Sequence, residues 1–246
     1  MNKTIWSYWD GPFTEINEIC LNSWKMHLPY WNIKILNESN IISYNIIHKP
    51  NNYNKLIPAI KSDIIRLNLL YNYGGVWIDA TVFLTQNLNW IYKYSKYEML
   101  ATRITESYPE NWFIVAYKPQ SNIIKRWLDT FNDILNTKPI ANHPVYNSFS
   151  YTDYFICYRA WQYLKVIDNT FKKDIKNNTM IENKNYFYNP FIPLASHEKF
   201  AKFTKEARKF YPYVKFPFIY IYVITLIIFI FIITYTTINI SNYKNK

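Results

Sequence analysis

Glycine is nearly missing from this chain. Only Gly11, Gly74 and Gly75 occur in 246 residues, where ordinary usage of about 7% would supply many more. Such a chain has no Gly-rich phosphate loop, and neither a Walker motif nor a GxSxG nucleophile elbow is present. Cysteine is as scarce. Cys20 and Cys157 stand alone, which excludes a disulfide framework and any cysteine metal site. His27, His48, His143 and His197 form no i, i+4 pair and no zinc spacing. The opening residues "MNKTIWSYWDG" contain no apolar h-region, so a secretory signal is not expected.

Acidic residues are also few: 17 against 28 Lys and Arg, for a formal net charge of +11. The excess is uneven. Between Lys199 and Lys215 there are six basic residues and one acid, Glu206, so this block carries +5 of the +11. Directly after it, "FPFIYIYVITLIIFIFIITYTTI" runs from Phe216 to Ile238 without a charge. As a helix the run would extend about 34 Å, enough for a bilayer core of about 30 Å. It is read as a C-terminal transmembrane helix over 216–238, with a buried core helix or two core strands as the alternative. Residues 196–215 then read as a basic amphipathic juxtamembrane segment. Ser196 would be its N-cap, and Phe200, Phe203, Ala207 and Phe210 would share one face. Residues 239–246 form a polar tail. Basic charge beside an apolar run suits anionic lipid headgroups better than nucleic acid, and no nucleic-acid partner is expected.

Aromatic residues, by contrast, are abundant at 20%, within 50% hydrophobic residues overall. That excludes a disordered chain and leaves room for one main domain with a sizeable core, over residues 1–195. Its start reads as strand, helix, strand: "KTIWSYW", then Ile16, Ile19, Cys20 and Trp24 at helical spacing, then "WNIKILN". That order predicts a βαβ unit in an α/β fold. "PAIKSDIIRLNLLYNY" is the firmest helix, with Pro58 in its first turn and Gly74 past its end. "VWI" follows as a short buried strand that delivers Asp79 to the sheet rim, where open α/β sheets bind ligands. Later, "WFIVAY" reads as a strand, and "NIIKRWLDTFNDIL" and "YTDYFICYRAWQYLKVI" as helices. The polar stretch 168–189 stays unassigned.

Three segments, "IWSYWDG", "CLNSWKMHLPYWNIKILNE" and "AIKSDIIRLNLLYNYGGVWIDATVFL", resemble the capsular polysaccharide synthesis proteins. These are relatives of the Och1-like mannosyltransferases and of the sugar-transferring toxins. The resemblance covers roughly residues 3–160. It implies a GT-A-like, Rossmann-like nucleotide-sugar-binding domain with a mixed, mostly parallel sheet. It also implies a glycosyltransferase activity that retains configuration, with Mn²⁺ or Mg²⁺ as cofactor. The expected partners are a UDP- or GDP-sugar donor and a glycan or lipid-linked acceptor. Taken with the apolar run, the whole is expected to be a single-pass membrane protein with its catalytic domain cytoplasmic. The alternative is a non-catalytic nucleotide-sugar or glycan-binding subunit of a membrane-bound synthesis complex.

The site residues follow from the same resemblance. Asp63 and Arg66 match the helix residues that hold donor sugar and phosphate, and their i, i+3 spacing puts them on one helix face. By themselves they would be a surface ion pair worth under about 1 kcal/mol. Asp79 matches the first acid of the metal-binding motif and is expected to be catalytic with Arg66; its plainer reading is a turn cap. Thr81 stands where many relatives carry a second acid, so Asp79 and Thr81 are the expected metal ligands, with a neutral hydroxyl in place of a carboxylate. Trp9, Asp10 and Gly11 fall where the first strand meets the nucleotide. Gly74 and Gly75, with Asn111 and Trp112, complete the expected donor-binding set. Asp153 is the acceptor-side candidate.

Overall fold

A strand, a helix and a second strand open the chain: β1 Thr4–Tyr8, α1 Glu15–His27 and β2 Asn32–Leu36. They do so in a computed structural model that describes residues 1–44, 46, 48–103, 108–137, 154–183, 186–187 and 197–208. β1 and β2 pair in parallel from Thr4↔Asn32 to Tyr8↔Leu36, with α1 as the crossover. Its N-terminus is closed by Asn17, whose Oδ1 accepts the Thr14 N–H at 2.9 Å.

The next unit is α2, Pro58–Tyr73, followed by β3, Gly75–Ile78. Pro58 suits the first turn because its missing N–H would have no helical partner there. Gly74 ends the helix at φ +64°, ψ −159°, a region open to glycine and costly for other residues. Gly75 has φ +93°, and a Cβ on it would lie 2.7 Å from the Thr4 carbonyl oxygen. The glycine pair therefore lets β3 enter immediately after the helix and lie flush against β1, in parallel at Ile5↔Val76. Trp6 locks the junction by donating its Nε1–H to the Gly74 carbonyl at 2.8 Å.

Beyond β3 come β4 Val82–Leu84, β5 Met99–Arg103, β6 Glu110–Ala116, α3 Asn122–Asn136 and α4 Ile156–Ile167. The stretch that sequence reading left unassigned forms α5 Asn169–Asn178 and β7 Thr179–Asn183. The main sheet runs β2-β1-β3-β6-β5-β7. β6 is antiparallel to both neighbours and the other ladders are parallel, so five strands run one way and β6 the other. Alternation along β3 builds the two layers. Trp77 joins the core under α2, α3 and α4, while Val76 and Ile78 join the core under α1 and β4.

Two expectations about the C-terminal part are corrected. The segment read as an amphipathic juxtamembrane helix contains a strand, β8 Phe200–Lys202, paired antiparallel to β4 at Val82↔Lys202 and Leu84↔Phe200. Phe200 is buried against Trp112, Phe113 and Tyr186, a packing gain that outweighs local helical spacing, and among the described residues of this segment helix is confined to 205–208. β8 thereby carries the folded unit past the expected boundary at 195. The second correction concerns the membrane. No helix among the described residues is long and apolar enough to cross a bilayer, and the expected span at 216–238 lies outside them. The described fold contains no transmembrane helix, which corrects that expectation and the single-pass, cytoplasm-facing placement that depended on it.

Candidate active site

β1 and β3 end side by side, and a cleft of about 980 Å³ opens at that edge. Asp79, the residue after β3, stands on its floor. Its N–H donates to the Trp112 carbonyl at 3.0 Å. The following turn is clamped from two sides. Asn17 on α1 donates its Nδ2–H to the Ala80 carbonyl at 3.1 Å, and the Phe203 N–H donates to the Thr81 carbonyl at 2.9 Å. The two clamps tie the turn to α1 and to the residue that follows Lys202.

α2 supplies the rest of the floor. Asp63 and Arg66 are buried and form an ion pair with each other. Arg66 also donates to Asp79 Oδ1 at 2.8 Å, and its guanidinium lies over the Trp77 ring, 4.7 Å from the centroid. Trp77 donates its Nε1–H to the same Asp79 oxygen at 2.8 Å. Asn111 on β6 donates to Asp63 at 2.8 Å and accepts from the Tyr158 hydroxyl of α4 at 2.6 Å. The second oxygen of Asp79 accepts from the Lys202 ammonium at 2.7 Å. That ammonium donates to the Thr81 hydroxyl as well, at 2.9 Å.

The electrostatics follow from burial set against these partners. Burial alone would raise the Asp79 carboxyl, but Lys202 and Arg66 outweigh it and hold the group down at about 2. Burial raises the Asp63 carboxyl even though Arg66 pulls the other way. Glu110, also in the cleft, is raised chiefly by burial. The floor thus alternates charge, Asp63, Arg66, Asp79, Lys202, across three elements.

The expected residues separate into groups. Asp63, Arg66, Asp79 and Thr81 converge on the floor, and Asn111 and Trp112 line it beside them. Trp9 and Asp10 lie at the rim, with the Arg208 guanidinium 5.6 Å from a Trp9 ring centroid. Gly11 is exposed, and a Cβ there would meet nothing within 4 Å. Gly74 and Gly75 do not line the cleft: Gly75 sits beside Thr4 and Gly74 beside Ala116, Lys118 and Pro119, at the opposite end of β1 and β3. Their role is the helix-to-strand junction. Asp153 lies outside the described residues. Sequence reasoning missed Lys202, Glu110 and Tyr158. Glu110 and Tyr158 carry no motif. Lys202 sat in a segment whose Phe spacing fits a helix.

The geometry also departs from a pair of metal ligands. Asp79 Oδ1 already accepts from Arg66 and Trp77, and Asp79 Oδ2 and Thr81 already accept from Lys202. A divalent ion bound to Asp79 and Thr81 would have to displace an ammonium and sit beside a guanidinium. Among the described residues no three His, Cys, Asp or Glu side chains are grouped to hold a metal. These residues, as arranged, do not fit Mn²⁺ or Mg²⁺.

Comparison with known proteins bears on the reaction class. The family described as "Capsular polysaccharide synthesis protein" matches residues 1–190. The O-glycosyltransferase braB of Annulohypoxylon truncatum is 29% identical over 175 residues, covering 58% of this chain and 41% of that protein. The glycosyltransferase afumC of Aspergillus fumigatus is 26% identical over 187 residues, covering 58% and 46%. The chain therefore spans less than half the length of these two relatives. Among solved structures, the PaToxG glycosyltransferase covers 72% of this chain and 74% of its own at a TM-score of 0.45 and 16% identity. A glycosyltransferase involved in glycosylation of the major capsid of PBCV-1 covers 75% and 84% at a TM-score of 0.38 and 11% identity.

Proposed function

The chain belongs to the capsular polysaccharide synthesis protein family, and we propose that its cleft transfers a sugar from a nucleoside-diphosphate donor, a UDP- or GDP-sugar, to a hydroxyl of a glycan or lipid-linked acceptor. The observation that carries this reading is the alternating row of Asp63, Arg66, Asp79 and Lys202 in one cleft. It lies at the C-terminal edge of parallel strands, where α/β sheets receive ligands. The relatives' names, an O-glycosyltransferase and a glycosyltransferase, support the same reaction class.

Each group has a task that its surroundings suit. Asp63, fixed by Arg66 and Asn111, accepts hydrogen bonds from the donor sugar's hydroxyls. Arg66 and Lys202 provide positive potential for the diphosphate. In the transfer, the bond from the anomeric carbon to the terminal phosphate oxygen breaks and the acceptor oxygen bonds to that carbon. The acceptor's proton leaves to the departing diphosphate, and configuration at the carbon is retained. Preorganised charge that meets the growing phosphate charge is worth about 2.7–4 kcal/mol per contact. Tyr154 and Phe155 are exposed at the cleft mouth, apolar ring faces suited to an acceptor sugar.

The test is hydrolysis and transfer with a panel of UDP- and GDP-sugars. Asp79→Asn should reduce turnover by at least about 100-fold, since it loosens both cations at once. Asp63→Asn should weaken sugar nucleotides far more than free nucleosides. Donor binding with no turnover on any acceptor or on water would instead favour the non-catalytic binding subunit. No binding of any sugar nucleotide would overturn the donor reading.

A further inference from the structure

Lys202 lines the cleft from outside the family match, which ends at residue 190; Lys205, Glu206 and Arg208 do so too, but Lys202 is the one of the four paired with Asp79 among the described contacts. It arrives by tertiary structure. β8 pairs with β4, Val82↔Lys202, and the Phe200 and Phe203 side chains are buried on either side of it. The lysine is thus held by two core anchors and a strand ladder. Its side chain is 14% exposed, and it lines the cleft beside Asp79. Two of the three ammonium hydrogens go to Asp79 and Thr81; among the described residues the ammonium meets no third acceptor, which leaves one hydrogen for a ligand.

The charges make sense of this placement. Asp79 and Thr81 together offer one negative charge and a neutral hydroxyl, and one ammonium balances them. Arg66 on the other side is already shared between Asp63 and Asp79. A diphosphate arriving here meets a cation already held at the cleft by two hydrogen bonds, with one N–H left to give to a phosphate oxygen.

We propose that the Lys202 ammonium is the resident cation of this site and binds the diphosphate of the donor directly, in the position where a divalent metal was expected. This rests on the donor reading above and deepens it: donor binding is independent of added metal, and the third element of the site is supplied by β8.

The experiment uses the full chain, with UDP, GDP, uridine and guanosine as probes in calorimetry, each in EDTA and in about 1 mM Mn²⁺, a concentration that fills even weak oxygen-ligated Ca²⁺ sites about half or more. A parallel Mn²⁺ titration is read by electron paramagnetic resonance. The parent should bind UDP or GDP in EDTA, changing less than about threefold on adding Mn²⁺, and should show no bound Mn²⁺ that Asp79→Asn removes. Lys202→Met should weaken that nucleoside diphosphate by at least about tenfold while the nucleoside stays within about threefold, as expected for losing one charged hydrogen bond. Lys202→Arg should recover most of the loss. If Lys202→Met does not fold, the parent measurements alone decide. Diphosphate binding that requires Mn²⁺, or an Asp79-dependent Mn²⁺ signal in the parent, overturns the assignment and leaves the donor reading standing. So does a folded Lys202→Met that binds like the parent. A parent that binds neither nucleotide in either buffer overturns the donor reading, and Lys202's ligand with it.

Discussion

Two arginines in this protein each hold two aspartates and each lie over an aromatic ring, yet their surroundings are opposite. Arg66 joins Asp63 and Asp79 above Trp77. Arg126 on α3 joins Asp168 and Asp174 above Phe171, tying α3 to α5. Arg66 and Asp63 are 4% and 7% exposed; Arg126 and Asp168 are 18% and 31%. At Arg126 the acids also do local work. Asp168 caps α5 by accepting from the N–H groups of Thr170 and Phe171 at 3.0 and 2.9 Å. At Arg66 no helix is capped, and the Nε–H is buried without a partner among the described residues. Burying charge and leaving a donor unpaired are both costly for folding alone. The half-exposed cluster is a staple between helices. The buried one carries a folding cost that the donor's charge, in the function proposed above, would offset.

That contrast can be broken by removing each arginine in turn. Arg66→Met leaves Asp63 buried without its cation, and urea unfolding should show a loss of about 3–5 kcal/mol, together with loss of sugar-nucleotide use. A loss no larger than that of Arg126→Met would mean that burial does not distinguish the two clusters.

Acid sharpens the comparison next. Asp79 is held at about 2 against an ordinary 3.8. A depressed carboxyl stabilises the fold above its unfolded value and loses that contribution as pH falls from 3.8 through 2. The amount is about 2 kcal/mol. The difference in unfolding free energy between the parent and Asp79→Asn should therefore shrink by about that much between pH 5 and pH 2. A difference constant with pH would show that Asp79 does not gain from Lys202 and Arg66.

The smallest effect belongs to the staple. Arg126→Met should lower stability by only about 1 kcal/mol or less, because solvent screens a half-exposed pair. Donor turnover should match the parent within about twofold. A large loss of activity with an unchanged melting temperature would assign the α3–α5 face a part in the reaction.

Much of the fold was legible because its signals are local. α2 runs from Pro58 to Tyr73 as its apolar spacing predicts. The glycine pair marks a junction that a side chain would obstruct, and the sheet edge carries Asp79 because β3 is only four residues long. Two sequence readings failed where local pattern underdetermines structure. Phe200 and Phe203 are spaced as on a helix, and their burial from a strand and its exit follows only from tertiary packing, Phe200 against Trp112, Phe113 and Tyr186 and Phe203 in the cluster with Ile16 and Cys20. The polar stretch 168–189 holds α5 and β7 because β5 offers it an open edge, a fact no window of sequence contains.

By itself, then, the sequence determined the family, through its motifs, and the βαβ start, the α2–Gly–Gly–β3 unit and the meeting of Asp63, Arg66 and Asp79, which are set by backbone geometry and spacing within a few turns of chain. Tertiary structure decided what those acids hold. The Lys202 to Asp79 contact spans 123 residues and exists because β8 completes a two-stranded ribbon with β4, burying Phe200 as it does so. Side-chain burial and strand pairing across such a separation depend on the shape of the assembled core, and that shape is where the second cation of the site comes from.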